Sequence, residues 1–306
     1  MNVVYLGTPE FSVLPLKSII DLGKDKIIAV CTNKDKPVGR KKIPTPSPVK
    51  VFALNNGIKV FEYDKIRVEG VNDLKALKPD IMITCAFGQI LSAEILDIPK
   101  YGVINIHASL LPKYRGASPI QAAIKNGETE TGITIMRTNV GIDDGDIIYA
   151  KSVDILPNET AGELFERLSF VGAESVLHAL DLIRENKAEY TPQDEKKATF
   201  TKMIKKSDAK IDWNLSADEV VNSIRAFNPD PIAWAEINGQ IINVFNAKVA
   251  YGNGAPGEVL NAKKTLEIAC RSGSLIIEKV QKSGGKILSS KEFLCGFRIE
   301  VGKIIE

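Results

Sequence analysis

Over the first two-thirds of the chain, short apolar runs alternate with longer stretches whose apolar positions recur every three or four residues. VVYLG ends in glycine and leads into FSVLPLKSIIDLG, which has helical spacing. IIAVCT, IKVFEYD, IMITCAF and GVINIHAS read as further strands, with KVFALNNG and VNDLKALKPD as helices among them. Strands separated by helices predict an α/β fold, a parallel sheet with both faces covered. Such sheets place a ligand crevice beyond the carboxyl ends of their strands. Asn105 and His107 stand at one such end, two residues apart, so an extended chain points both side chains the same way.

The pattern then changes. ETAGELFERLSFVGAESVLHALDLIRENK keeps helical spacing for about 25 residues. A polar segment containing Pro192 follows and reads as a linker. Beyond it, SADEVVNSIRAFN is a helix with an acidic first turn, stopped by Pro229 and Pro231. AWAEI, QIINVFNAKVAY, GEVLNA, TLEIAC and SLIIEKV are short apolar runs broken by glycine, the spacing of an antiparallel sheet or small barrel. SSKEFLCGF predicts one last helix. Two domains are expected, and 306 residues, 44% of them hydrophobic, suffice for two cores.

Several classes drop out on composition. No apolar run approaches the length of a membrane span. MNVVYLGTPEF lacks a basic n-region and a long apolar stretch, so no secretion signal is read there. Cys31, Cys85, Cys270 and Cys295 lie far apart with no CxxC pair, which predicts free thiols and a cytoplasmic location. Histidine occurs only at positions 107 and 178. Net charge is +2, but it is unevenly spread. Residues 34–50 hold Lys34, Lys36, Arg40, Lys41, Lys42 and Lys50 against Asp35 alone, a balance of +5. So long a connection inside an α/β domain is usually functional, and its charge suits a phosphate backbone.

Some motifs match only by form. Gly252, Gly254 and Gly257 make a GxGxxG, but Pro256 interrupts it and a strand-like stretch follows, so a hairpin turn is expected. Walker, GxSxG, HExxH and CxxC spacings are missing, so neither a serine nucleophile nor a metal is expected. GVINIHASLLPKYRGASPIQ stands apart. An isolated histidine on a buried strand is usually a packed one. Here Asn105 sets an amide donor beside it, a pair suited to a developing oxyanion. Ser109–Pro112 and Arg115-Gly116 add a loop with polar ends, and NVGIDDGD puts an acidic turn after the strand ITIMRT. A carboxylate in that turn could orient the imidazole and favour its charged form. His178, on an amphipathic helix, reads as a packing residue.

Taken together, GTPEF, KPVGRKK with PSPVK, AFGQIL, GVINIHASLLPKYRGASPIQ, TGITIM, VGIDDGDI, KIDWNLSADEVVNSIRAFNPDP and PGEVL resemble the methionyl-tRNA formyltransferase family nearly end to end. INIHASLLPKYRG alone would indicate only the wider folate-dependent formyltransferases. The basic loop and IDW…IRAFNP narrow the resemblance, which thins from about Ile237 onward. It implies a Rossmann-like parallel-sheet formyltransferase domain over 1–188, a linker over 189–206 and a small OB-like β-barrel domain that binds tRNA over 207–306.

By the same resemblance, Asn105, His107 and Asp143 form the catalytic trio. Asp143 is preferred to Asp144 because it precedes Gly145 by two positions, as the family's aspartate precedes its loop glycine. The formyl donor would be 10-formyltetrahydrofolate, held by Phe87, Gly88, Gln89, Ile90 and Leu91, by Ser109, Leu110, Leu111 and Pro112, and by Val140, Gly141 and Ile142. The acceptor would be initiator methionyl-tRNA, met by Arg40, Lys41 and Lys42, and the enzyme a monomer. The nearest rivals are a 10-formyltetrahydrofolate hydrolase and an amino-sugar formyltransferase. Neither gives a reason for the +5 loop.

Overall fold

The computed structural model describes residues 1–38 and 42–305. By internal contacts the chain divides into two compact units. One comprises Met1–Gly116, Thr131–Val153 and Phe165–Phe200; the other comprises Ala117–Glu130, Asp154–Leu164 and Thr201–Glu306.

Among the described residues ten strands precede the long helix: β1 (Asn2–Gly7), β2 (Lys26–Asn33), β3 (Lys36–Val38), β4 (Ile43–Thr45), β5 (Val60–Tyr63), β6 (Ile81–Cys85), β7 (Val103–His107), β8 (Arg115–Gly116), β9 (Glu130–Arg137) and β10 (Ile147–Asp154). Seven of them form one sheet, in the order β10-β9-β7-β6-β1-β2-β5. The run β7-β6-β1-β2-β5 is parallel throughout. β9 joins β7 antiparallel, so the sheet is mixed at that side rather than parallel throughout. β1 and β6 read as unbroken apolar runs because both their faces are buried. On one face Val4, Leu6, Met82 and Phe87 pack with Leu74 and Ile95 from the short helices Val71–Leu77 and Ala93–Leu96. The helix Ala161–Arg184 comes close to the sheet at Gly172, where an added Cβ would stand 3.3 Å from Ile106.

In the second unit the helix Ala217–Ala226 packs on a curled antiparallel sheet. After the short β11 (Phe200–Thr201), its strands are β12 (Ala233–Ile237), β13 (Gln240–Ala250), β14 (Val259–Ala262), β15 (Leu266–Ala269), β16 (Ser274–Lys282) and β17 (Ile287–Ser289). The order is β12-β13-β16-β15-β14, with β17 on β16. Residues 252–257 are therefore not a hairpin turn: they lead from β13 to β14, which are not neighbours. Phosphate binding is no better supported, since a strand follows. Trp213, Ile224, Val244, Leu275 and Phe293 lie in the core of this unit.

The helix Ala217–Ala226 starts with a capping box. Ser216 accepts from the Glu219 amide, and Glu219 accepts from the Ser216 amide and hydroxyl, which holds its carboxyl below the usual range. Such a depressed carboxyl stabilises the fold above its ordinary pKa and loses that contribution as pH falls through the lowered value. Ser216→Ala is expected to cost about 1 kcal/mol, read as a lower urea midpoint at unchanged m-value.

Candidate active site

β7, third in the seven-strand order, carries Asn105 and His107 to its carboxyl end. β9 runs the opposite way, so its end at Arg137 lies beside Ile104. The loop 138–146 must then fold back along β7 to reach the same place. Asp143 makes this turn in the left-handed region, at φ +50°, which aspartate tolerates better than most residues.

The three predicted residues meet there. Asn105 Nδ2 donates to Asp143 Oδ1 at 3.2 Å. His107 Nδ1 is 3.5 Å from Asp143 Oδ2, which also accepts from the Gly116 amide at 2.8 Å. Asn105 Oδ1 accepts from Thr84 Oγ1 at 3.0 Å, so the amide cannot flip without losing both partners. That leaves the second Nδ2 hydrogen for a ligand. His107 Nε2 lies 2.9 Å from the Tyr114 carbonyl, which can only accept. Tyr114 sits at φ +60°. His107 is buried and Asp143 more open, with side-chain exposures of 6% and 19%.

The residues expected to hold a folate fall into three groups. Phe87 and Leu91 are core residues, and Ser109 is fully buried, its hydroxyl donating to the Lys113 carbonyl within its own loop. The Gln89 amide is used inside the protein: it donates to Asn33 and the Tyr63 carbonyl and accepts from the Ile66 amide. Leu111 is buried, with Leu110 and Pro112 half-buried beside it. Gly88 and Gly141 are exposed, as are Ile90, Val140 and Ile142. The last three are large apolar side chains in water, on the loops after β6 and β9, the sort of surface an aromatic ring would cover. His178 packs against Tyr149, with ring centroids 4.6 Å apart.

Of the basic loop, Arg40 and Lys41 lie outside the described residues. β3 and β4 pair as an antiparallel ribbon. Lys42 is exposed at φ +48°. Lys34 pairs with Asp64, and Lys50 with both Asp35 and Glu62 at 2.9 Å. The cationic excess of the segment is therefore concentrated in residues 36–42.

Sequence reading missed part of the site. The segment read as a linker sends Gln193 to the backbone of the Asp143 turn, and Arg115, only 2% exposed, joins Gln193 and Glu195. A polar side chain in a polar stretch carries no signal for this. Thiol chemistry is disfavoured at the buried cysteines: burial pushes Cys31 up to about 12 and Cys85 and Cys270 up to about 11. Among the described residues no cluster of His, Cys, Asp or Glu could hold a metal ion. None of their helices is long and apolar enough to cross a membrane.

Comparison with known proteins gives one answer over the whole chain. Residues 1–180 match the formyl transferase family, and residues 203–298 match the formyl transferase C-terminal domain. The chain is 43% identical over 307 residues to the methionyl-tRNA formyltransferase of Geotalea uraniireducens, covering 100% of this chain and 98% of the relative. It is 44% identical to that of Agathobacter rectalis, covering 99% and 98%. Among solved structures, the N-formyltransferase from Helicobacter canadensis, in complex with folinic acid and dTDP-3-aminofucose, aligns at a TM-score of 0.71. Identity there is 24%, over 92% of this chain and 99% of that one. The methionyl-tRNA formyltransferase from Clostridium thermocellum aligns at 0.59 with 18% identity, over 83% and 95%. These two show the fold alone; the full-length sequence matches fix the group, and the chain belongs to the methionyl-tRNA formyltransferase family.

Proposed function

We propose that this protein transfers the formyl group of 10-formyltetrahydrofolate to the α-amino group of initiator methionyl-tRNA, acting as a cytoplasmic monomer. The observation that carries the reading is the Asp143 carboxylate bridging Asn105 and His107, in a chain that matches this family end to end.

The neutral α-amino nitrogen attacks the formyl carbon. Free α-amino groups titrate near 7.7–8.0, and the ester neighbour lowers this further, so no strong base is required. Attack moves a C=O electron pair onto the formyl oxygen. The Asn105 amide hydrogen not taken by Asp143 is available to that oxygen. The His107 Nε2–H, donated at rest to the Tyr114 carbonyl, would exchange it for the oxyanion, a stronger acceptor. When the tetrahedral species collapses, the bond from carbon to the folate nitrogen breaks. The proton lost by the attacking amine ends on that nitrogen, relayed through the trio. Asp143 holds both donors in line throughout, and no covalent enzyme intermediate is formed.

The cations of residues 36–42 suit the phosphates of the acceptor stem, which gives the +5 segment a purpose that a sugar or water acceptor would not. One assay tests the reading: formyl transfer from 10-formyltetrahydrofolate to methionyl-tRNA, a nucleotide-linked amino sugar and water, side by side. Methionyl-tRNA is expected to be the strongly preferred acceptor. Preference for the amino sugar, or hydrolysis alone, would overturn it. In the same assay Arg40→Ala/Lys42→Ala is expected to raise KM for the tRNA and flatten its salt dependence by about 0.7–0.9 in log–log slope per lost phosphate contact. Folate KM is expected to stay unchanged; if it is the folate KM that moves, the loop assignment fails.

A further inference from the structure

We infer that Gln193, with Arg115 behind it, is a positioning residue that holds the Asp143 turn in place for catalysis. The inference deepens the proposed function, since it takes Asp143 as the working carboxylate. Asp143 needs such help. It occupies a left-handed backbone conformation on a loop that must double back along β7, and its carboxylate has to meet two side chains and an amide at once.

Gln193 supplies the help from far along the chain. Its Nε2 donates to the Asp143 carbonyl at 2.9 Å and to the Gly145 carbonyl at 2.7 Å, spending both amide hydrogens on the backbone of the turn. Its Oε1 accepts from Arg115 Nε at 3.0 Å and from an Arg115 amino group at 2.9 Å. A guanidinium can only donate and a carbonyl can only accept, so the amide has a single workable orientation. Arg115 is held in turn. Its other contacts include both oxygens of Glu195 at 2.7 and 3.0 Å, which keep the guanidinium firmly charged, and its backbone amide donates to the Thr199 carbonyl at 2.8 Å. Arg115 also neighbours Gly116, whose amide grips Asp143 Oδ2 at 2.8 Å. The turn is therefore clamped twice: on its backbone by Gln193, and on its carboxylate by the residue after Arg115.

The amide nitrogen is the decisive group, and Gln193→Glu isolates it. Glutamate keeps the pair with Arg115 but turns an oxygen, without a hydrogen, toward two carbonyls. Gln193→Ala removes both ends. Each variant is expected to lose about 10- to 100-fold in kcat, the scale of a small misplacement, with KM for both substrates within threefold. A mere tether through Arg115 predicts a different result, in which Gln193→Glu keeps the wild-type kcat; that outcome would overturn the inference.

A second readout needs no turnover. The protein has two histidines, so ring nitrogen NMR resolves His107 with His178 as an internal control. The His107 ring signals in both variants are expected to move toward those of Asp143→Asn, while His178 stays fixed. Unmoved His107 signals would sink the inference. If the wild-type protein formylates nothing, the functional reading fails, and the His107 resonances still decide whether Gln193 positions Asp143.

Discussion

His107→Ala is expected to reduce kcat/KM for formyl transfer by about 10²–10⁴-fold, or roughly 2.7–5.4 kcal/mol of transition-state stabilisation. The loss falls on kcat, because the ring acts on charge that exists only after attack. KM for tRNA, which on the proposed reading is set by phosphate contacts away from this ring, is expected to hold within a few-fold. Asn105→Ala removes the second proposed oxyanion donor and is expected to cost about 10²–10³. The double variant should fall well short of the product of the two, because both donors are aligned by the same Asp143 carboxylate and act as a unit. His107 is only 5% exposed, so the thermal midpoint of each variant must be measured beside the rate. A folded His107→Ala enzyme with full activity would remove this histidine from the mechanism and the proposed chemistry with it.

What could be read from the sequence follows the range of the physics involved. β1, β6 and β7 announce themselves as apolar runs because both their faces are covered, and a run of that kind needs no partner to be seen. The two-residue spacing of Asn105 and His107 places them together for the same local reason. Asp143 came from the family likeness and from its place before Gly145, and the structure sets it against both. The antiparallel join of β9 to β7 was not legible, since an apolar strand looks the same in either direction. The 252–257 glycines read as a hairpin because turn residues mark a reversal, not which strand the chain rejoins. The Gln193 contact was the least accessible. It spans 50 residues to Asp143, and nothing in the residues 189–206 distinguishes a side chain that reaches a distant carbonyl from one in water. Charge behaved in between: a count located the excess in 34–50, and only the ion pairs of Lys34 and Lys50 moved it to 36–42.

The second large effect concerns a residue with no side chain. A Cβ on Gly145 would lie 1.7 Å from the Arg137 carbonyl oxygen and 2.8 Å from its carbon. Those atoms are backbone, and they are fixed where the Arg137 amide donates to the Asp146 carbonyl at 2.9 Å to close the base of the loop. The methyl group of Gly145→Ala therefore has to spread that base. The Gly145 carbonyl is then drawn off Gln193, and Asp143, two residues away, leaves the reach of Asn105 and His107. Activity is expected to fall by 100-fold or more, since a displacement of about 1 Å suffices for that, and the thermal midpoint should drop as well. Gly141 offers the matched comparison on the same loop. A Cβ there would meet Asp144 Oδ2 at 2.0 Å, but that atom ends a side chain and can rotate aside. Gly141→Ala is therefore expected to keep the fold and most of kcat, its cost falling on KM for the folate that residues 140–142 are expected to hold. Comparable losses in the two variants would mean that the loop tolerates no side chain anywhere. Only a severe Gly145→Ala beside a mild Gly141→Ala places the constraint at the closed base, where the backbone of the turn sets the carboxylate.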